Sequence, residues 1–251
     1  MAQAAFIGKG KLRLALFSSG ATFESRLFAD LENASAFGLT PTEKQQKLPN
    51  WTNAAGGTDA AFTQLETIDG EMDLRHFTPA NLALVLWGAT NAIAATPITG
   101  EAGGKIVPLA FVPTKKPINT SVAPVVKKGA TTILAADYTV SAGGITISAT
   151  ITTGTVVSGD AITIDYTPLA GADVQAFINS APDVSIHFEG INQVDGKYSV
   201  VKIHKAKLGT VKKLDLIGDD FGTLGVAFAL QADTTITTVG KSQYLEILQA
   251  G

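Results

Sequence analysis

The sequence predicts a mainly β protein, a β-sandwich or barrel with one flanking α-helix and a small inserted all-β module. The 251 residues include 25 glycines and 10 prolines, and with abundant threonine and valine these favour short strands and tight turns. Only 16% of the residues are charged, whereas globular proteins average about 25%. Much of the surface must therefore be uncharged, which suits burial against partners.

The N-terminal region is expected to hold a flexible arm followed by the first strand. Lys11 to Phe17 alternates apolar with basic residues, the pattern of a strand with one polar face. The glycines and lysines of Gly8 to Lys11 precede a strand, so they lack the helix N-terminus that makes a phosphate cradle. We interpret Met1 to Gly10 as a flexible N-terminal arm. The longer stretch Met1 to Phe17 is interrupted by Lys9, Lys11 and Arg13, so no signal peptide is expected.

Residues from Glu32 to Gly57 are expected to form a long loop, because turn formers such as Pro41 and Pro49 outnumber periodic apolar positions. Loops of this length in compact domains are usually functional or disordered. Trp51 lies in this segment, and two interpretations stay open. It is either an exposed anchor for a partner or a side chain folded back onto the protein's own core.

A strand and the clearest helix of the chain follow. Ala60 to Asp73 is predicted to be a strand with polar interruptions. Thr78 is a good N-cap, Pro79 is tolerated at the first helical position, and the apolar residues after them recur at near-helical spacing. Gly88 weakens the middle of this pattern, so we expect a helix of about three turns that packs on a sheet face.

Residues 113–170 are predicted to be an inserted β module, since prolines and lysines at their start give way to an almost pure run of Thr, Val, Ile, Ala and Gly. The flanking residues, 1–112 and 171–251, would then form one discontinuous β domain. Four strands are predicted inside the module, at Thr131 to Leu134, Tyr138 to Ser141, Ile145 to Ser148 and Ala161 to Tyr166.

The C-terminal third carries a strong hairpin signal, in which Val184 to Gly190 and Val200 to Leu208 flank Asp195-Gly196. A two-residue turn there pairs His187 with His204 and Glu189 with Lys202 on a polar face, opposite a core face. The two imidazoles with Glu189 could in principle hold a divalent metal. The alternative is a solvated strand face with neutral imidazoles, and no metal site is expected. A strand pair, Leu224 to Ala232 with Thr235 to Val239, and a last strand, Tyr244 to Leu248, complete the prediction.

Charge is balanced overall and locally mixed. The net charge of −3 argues against broad attraction to nucleic acid, which calls for a basic stripe. One basic concentration is followed closely by acidic residues, and solvated surface, subunit contact and phosphate contact all stay open for it. Its members are Lys202, Lys205, Lys207, Lys212 and Lys213, and the acids are Asp215, Asp219 and Asp220.

The sequence contains few residues that could support catalysis or membrane insertion. With no cysteine and three histidines, thiolate chemistry is excluded and acid–base clusters are scarce. Ser18-Ser19-Gly20 lacks the flanking glycines of a hydrolase elbow. We therefore expect no enzyme activity, no catalytic residue and no cofactor. The apolar segment Ala80 to Ala95 is too short and too often interrupted to span a bilayer, so no membrane insertion is expected.

The C-terminal sequence contains the stretches His187-Phe-Glu-Gly-Ile, Asp195-Gly-Lys-Tyr and Val201-Lys-Ile-His-Lys-Ala-Lys, and then Leu214-Asp-Leu-Ile-Gly-Asp-Asp-Phe-Gly-Thr-Leu. These stretches resemble the C-terminal part of the tail tube, or major tail, proteins of long-tailed bacteriophages. The Ile68-Asp-Gly-Glu strand and the helix after Thr78-Pro79 are also similar to that group. The resemblance is loose in its motifs and covers the chain outside residues 112–170.

This resemblance implies a tail-tube-like fold and a virion structural protein, assembled in the host cytoplasm as hexameric rings that stack into a conduit for genome ejection. Its partners would be further copies of itself and the tape measure, tail terminator and tail tip proteins, with DNA passing through without specific binding. The inserted module would lie on the outer surface. By position, the ring-stacking or subunit interface would include Phe6, Asn50, Trp51, Thr52, Lys212, Lys213, Asp215, Asp219 and Asp220. The alternative is a monomeric β-sandwich surface module that binds a ligand such as carbohydrate.

Overall fold

The computed structural model describes residues 7–52 and 55–250, and this part of the chain is mainly β with one α-helix. The chain divides into two compact units, Met1–Ala89 with Val174–Gly251 and Thr90–Asp173. The second unit therefore begins before the predicted module boundary at residue 113 and ends just after residue 170.

The elements follow in chain order. The strands of the first part are β1 (Gly8–Leu16), β2 (Ala29–Asp30), β3 (Ala34–Pro49) and β4 (Thr58–Leu74), followed by α1 (Pro79–Val85) and β5 (Ala89–Ile93). The middle strands are β6 (Ile98–Lys105), β7 (Phe111–Pro113), β8 (Val125–Lys128), β9 (Thr131–Thr132), β10 (Tyr138–Ser141), β11 (Gly144–Ile147) and β12 (Ala161–Tyr166). The last strands are β13 (Gly171–Gln175), β14 (Asp183–Asn192), β15 (Tyr198–Val211), β16 (Leu224–Leu230) and β17 (Leu245–Gln249).

The first unit is built on one eight-stranded sheet in the order β2-β1-β14-β15-β16-β4-β3, with β17 as a branch on β15. The branch exists because β15 is long: Ser199 to Ile203 pair with β17, and Ala206 to Val211 pair with β16. Along β16 buried apolar residues alternate with half-buried or exposed ones, the period-2 pattern of a strand with one face on a core. All the described strand pairs in this sheet are antiparallel.

The sheet curls so that its β3 end lies against β14. The ring of Phe37 on β3 stacks on Phe188 of β14 at 5.6 Å and on Phe228 of β16 at 5.9 Å. Gly70 of β4 has to be glycine, because a Cβ at this position would collide with the Phe228 ring. The core of the unit lies inside this curve, around Met72, Leu74 and similarly buried side chains of the other strands.

The opposite face of β14 and β15 is covered by the unit's own chain. Residues 17–28, which include a short 3-10 helix at Phe23–Ser25, carry the buried Arg26. Its guanidinium donates to Ser185 Oγ at 2.7 Å, to the His204 carbonyl at 2.8 Å and to Asp233 Oδ2 at 3.1 Å. We call residues 17–28 with 231–244 the cover. It buries a face that the sequence predicted to be solvated.

The second unit packs a three-stranded sheet, β10-β11-β7, and a four-stranded sheet, β6-β12-β8-β9, around its own core. Asp137 fixes the loop at 152–153 by accepting hydrogen bonds from the backbone N–H and hydroxyl of both Thr152 and Thr153. These bonds lower the pKa of Asp137 to about 2. β5 and β13, in which the chain leaves the first unit and returns to it, pair with each other.

The structure corrects several predictions of local structure. Gly8 to Gly10, predicted to belong to a flexible arm, lie in β1 and pair with β14, whereas Met1–Phe6 lie outside the described residues. The helix is shorter than expected, because it ends before Trp87 adopts a positive φ of 48°. Thr235 to Val239 are irregular, with a turn at each end, and do not form a strand. In the described ranges, no helix is long and apolar enough to cross a membrane.

The predicted C-terminal hairpin forms, but its register is wrong by two residues. His187 lies opposite Lys202, and Phe188 lies opposite Val201. The reason is a wider turn: Asn192 N–H donates to the Lys197 carbonyl at 2.8 Å, and Gly196 takes a positive φ of 73° inside that closure. A shift of two residues keeps each side chain on its predicted face.

Candidate assembly surfaces

A long two-stranded arm replaces the predicted loop between Glu32 and Gly57. We define the arm as the outer part of the β3–β4 hairpin, residues 42–67, of which 53 and 54 are not described. Except for the half-buried Asn50, its described residues are exposed. An isolated hairpin is marginally stable in water, so a ribbon with both faces exposed is a surface suited to a partner.

The register of the arm separates an apolar face from a more polar one. Gln46 pairs with Phe62 and Leu48 pairs with Ala60, which places Leu48, Ala60 and Phe62 next to one another on one face. Among the described positions of this face that pair regularly, the charged residue is Lys44. The opposite face carries Glu43, Gln45 and Lys47 on β3, with Leu65, Thr63 and Ala61 opposite them.

The tip of the arm presents a tryptophan. Asn50 N–H donates to the Gly57 carbonyl at 2.9 Å and closes the turn. The Asn50 side-chain oxygen then accepts hydrogen bonds from the Thr52 N–H at 2.9 Å and the Thr52 hydroxyl at 2.8 Å. These local bonds shape the turn, while Trp51 between them is 85% exposed. Of its two open interpretations, the exposed side chain fits the structure.

A second exposed apolar surface lies in the segment between β15 and β16. We call residues 215–221 the base loop. Its three large apolar side chains, Leu216, Ile217 and Phe221, are 78%, 96% and 94% exposed. Arg75, directly after β4, donates to the Phe221 carbonyl at 3.2 Å and anchors the loop beside that end of the strand. Exposed hydrophobic residues clustered in this way commonly mark interaction sites.

The arm and the base loop lie at opposite ends of β4. The base loop is beside Arg75, next to the last residue of the strand, and the apolar face of the arm is centred on Phe62 near its start. At about 3.3 Å per strand residue, the two surfaces are separated by roughly 40 Å. One copy therefore presents its two apolar surfaces in different places.

The predicted interface residues fall into these two groups. Asn50, Trp51 and Thr52 form the tip, and the acidic members of the prediction lie in the base loop. Phe6 lies outside the described residues. Lys212 and Lys213, just before the base loop, bond Glu71 at 2.9 Å and Asp215 at 2.8 Å. The sequence prediction did not include the exposed apolar residues near them, which are Leu48, Phe62, Leu216, Ile217 and Phe221.

Acidic side chains of the same chain pair with every lysine of the basic concentration. Lys202 lies 3.0 Å from Glu24, and Lys205 and Lys207 lie 3.4 Å and 3.0 Å from Asp183. The pairing of Lys212 and Lys213 is of the same kind. Because these charges are already compensated locally, the cluster offers little net positive potential to a phosphate backbone.

The two histidines of the predicted polar face lie under the cover. The ring of Phe23 is centred 6.2 Å from His187 and 5.8 Å from His204. Glu189 bonds Arg13 at 2.8 Å and not the predicted Lys202. Burial lowers the pKa of both imidazoles, and the Arg13 charge lowers that of His187 further. In the described ranges, no three His, Asp or Glu side chains converge as metal ligands.

The family comparison spans both units. A family model described as "Protein of unknown function UCP028589" matches residues 5–248. The chain belongs to this family. Its matched range includes the arm, the base loop and the cover, so all three lie within the part of the chain that the family model describes. A search of the curated proteins found no match.

Proposed function

We propose that the chain is a structural subunit that assembles with copies of itself, specifically the subunit of a bacteriophage tail tube built from stacked hexameric rings. The observation that carries self-assembly is the arm, a ribbon exposed on both faces that presents Leu48, Phe62 and Trp51 to solvent. The resemblance to tail tube proteins supplies the specific form of the assembly.

The energetics of the arm support a partner. Burying a large apolar side chain stabilises by about 1.5–3 kcal/mol, and this gain is missing for Phe62 and Trp51 in the free chain, where they are 60% and 85% exposed. An exposed hairpin also risks indiscriminate association. A specific second surface that covers the arm resolves both problems.

The strand edges of the curled sheet support the same proposal. In the described part of the chain, β3 and β17 each pair with a strand on one side only. Their outer edges offer unpaired backbone N–H and carbonyl groups, which a neighbouring subunit can satisfy by adding a strand. A ring of such subunits closes those edges, as the resemblance to tail tubes implies.

Two measurements on the purified protein test the proposal together. Negative-stain electron microscopy at high concentration reports the assembled form, and mass photometry in dilute solution reports the subunit count. We expect rings or hollow tubes of uniform width that contain six subunits in each layer. A monomer at every concentration would overturn self-assembly, and regular assemblies without six-fold layers would overturn the tail tube form.

A further inference from the structure

The arm and the base loop are complementary in chemistry. The apolar face of the arm carries Leu48, Ala60 and Phe62 toward its tip, and Gln46, Gln64 and Lys44 toward its inner end. The base loop exposes Leu216, Ile217 and Phe221 with acidic residues beside them. Of those acids, Asp215 already pairs with Lys213, whereas Asp219 and Asp220 have no ion-pair partner in the described ranges. An apolar patch with a lysine thus matches an apolar patch with two free carboxylates.

The position of the two surfaces excludes contact between them within one copy. They lie at opposite ends of one continuous strand, roughly 40 Å apart. The strand is regularly paired from Gly70 to Leu74 with β16, so it cannot fold back to bring its ends together. Any contact between an arm and a base loop therefore joins two copies.

We infer that the apolar face of the arm of one copy docks on the base loop of the next copy. This inference rests on the proposed self-assembly and identifies the surface that receives the arm. Phe62 and Leu48 pack against Ile217 and Phe221, and Lys44 lies near Asp219 and Asp220. In the proposed head-to-tail arrangement each copy keeps one arm and one base loop for two different neighbours, so the contact is heterologous and continues from copy to copy.

Cysteine cross-linking tests this contact directly, because the chain contains no cysteine of its own. A Phe62→Cys variant and an Ile217→Cys variant, purified separately with tags of different size, are mixed at an assembling concentration and exposed to a mild oxidant. We expect the mixture to form the mixed dimer on a non-reducing gel. Its yield should exceed the dimer yield of either variant alone on the order of tenfold, since docking holds the two positions together.

A matched control uses the other face of the same arm. Lys47→Cys lies on the face opposite Phe62, so its mixture with Ile217→Cys should give little dimer. Equal yields from Lys47→Cys and Phe62→Cys would overturn the assigned face. Dimers that form mainly within the Phe62→Cys sample alone would indicate contact between the apolar faces of two arms and would overturn the heterologous geometry.

Charge reversal gives a second readout that does not depend on oxidation. Lys44→Glu should raise the concentration needed for assembly about two- to fivefold for each contact. Combining it with Asp219→Lys and Asp220→Lys should restore assembly. Failure of the combination to rescue would contradict the pairing. If rings or tubes form but neither test reports the contact, the docking inference fails and the proposed function stands; if wild-type protein does not assemble, both fail.

Discussion

The polar face of β14 and β15 and the apolar face of the arm are both sheet surfaces that need a second layer. On β14 and β15 the chain supplies that layer itself, because the cover places Arg26 and Phe23 over Ser185 and the two histidines. Along the arm, residues 58–67 of β4 are exposed with no such layer. The same unit thus completes one surface internally and leaves the other for another molecule.

Because of this difference, substitutions that affect the stability of the single copy should be distinct from those that affect assembly. Substitutions under the cover or in the core remove contacts that the single copy already makes, so they should lower the free energy of unfolding. The described part of the arm is exposed in the single copy, so under the proposed assembly substitutions there should lower assembly and leave the free energy of unfolding unchanged.

The largest effect is expected at the buried ion pair of the cover. Arg26 and Asp233 have side chains that are 2% and 3% exposed, with their charged atoms 3.1 Å apart. Asp233→Ala leaves the guanidinium buried without its counter-charge and should lower the free energy of unfolding by about 3–5 kcal/mol. Chemical denaturation measures this change.

The matched control for this prediction is the same substitution on the arm. Asp59 is exposed beside the tip, so Asp59→Ala should change the free energy of unfolding by less than about 0.5 kcal/mol. Losses of similar size at Asp59 and Asp233 would contradict the division between covered and uncovered surfaces.

Next in size is a cavity in the core part of β4. Met72 is fully buried in the same strand that carries the arm. Met72→Ala should lower the free energy of unfolding by about 2–5 kcal/mol, because the lost methylenes leave a cavity in a packed core. Denaturation in urea measures it, and a loss below about 1 kcal/mol would contradict the assigned burial.

The pH dependence should be smaller and of defined sign. Burial holds the pKa of His187 and His204 below the ordinary value of about 6.5. The unfolded state then binds more protons below that pH, so the stabilising contribution is complete above about pH 6.5 and is lost as the pH falls. Thermal unfolding midpoints at pH 7.5 and 5.5 measure the decline.

A double variant assigns this decline to the histidines. His187→Gln combined with His204→Gln removes both titrating groups and should flatten the change between pH 7.5 and 5.5. The carboxylates around them, including Glu189 and Asp233, have pKa values held below their ordinary values, so they titrate at lower pH. An unchanged slope in the double variant would refute the assignment.

The smallest effect on stability is expected at Phe62. Phe62→Ser removes an exposed ring from the arm and should change the free energy of unfolding of the isolated subunit by less than about 0.5 kcal/mol. The same variant should lose most of its assembly in sedimentation experiments. Assembly equal to wild type would show that the arm's apolar face does not contact a partner.

The sequence predicted the elements whose patterns follow from burial. The ends of Tyr138–Ser141 and Ala161–Tyr166 match the structure. Ala161–Tyr166 has one buried face and therefore keeps a clear alternation, and turn residues follow Tyr138–Ser141. Thr78 caps the helix as predicted, since its hydroxyl accepts the Asn81 N–H at 3.2 Å. In these places the local sequence was sufficient to predict the structure.

The arm could not be predicted in the same way. Its strands face solvent on both sides, so their sequence has no reason to alternate, and Pro41 and Pro49 indicated a loop. Pro41 is tolerated because β3 is an edge strand of the sheet.

The cover could not be predicted for a different reason. The contact of Arg26 with Asp233 joins residues 207 positions apart, and no local sequence pattern indicates a contact over such a separation. The predicted interface residues include the tip and the acids of the base loop but not the exposed apolar residues beside them, and the interface itself stays a prediction.

Removing the arm and measuring assembly tests directly whether the arm joins the copies. Replacing residues 42–67 with a two-residue Asn-Gly turn joins Pro41 to Ile68, which already pair across the hairpin. We predict that this protein keeps the unfolding midpoint of the full chain but stays monomeric, by sedimentation velocity, at concentrations where the full chain forms rings or tubes. Assembly of the trimmed protein at the same concentration as the full chain would contradict the claim that the arm joins the copies.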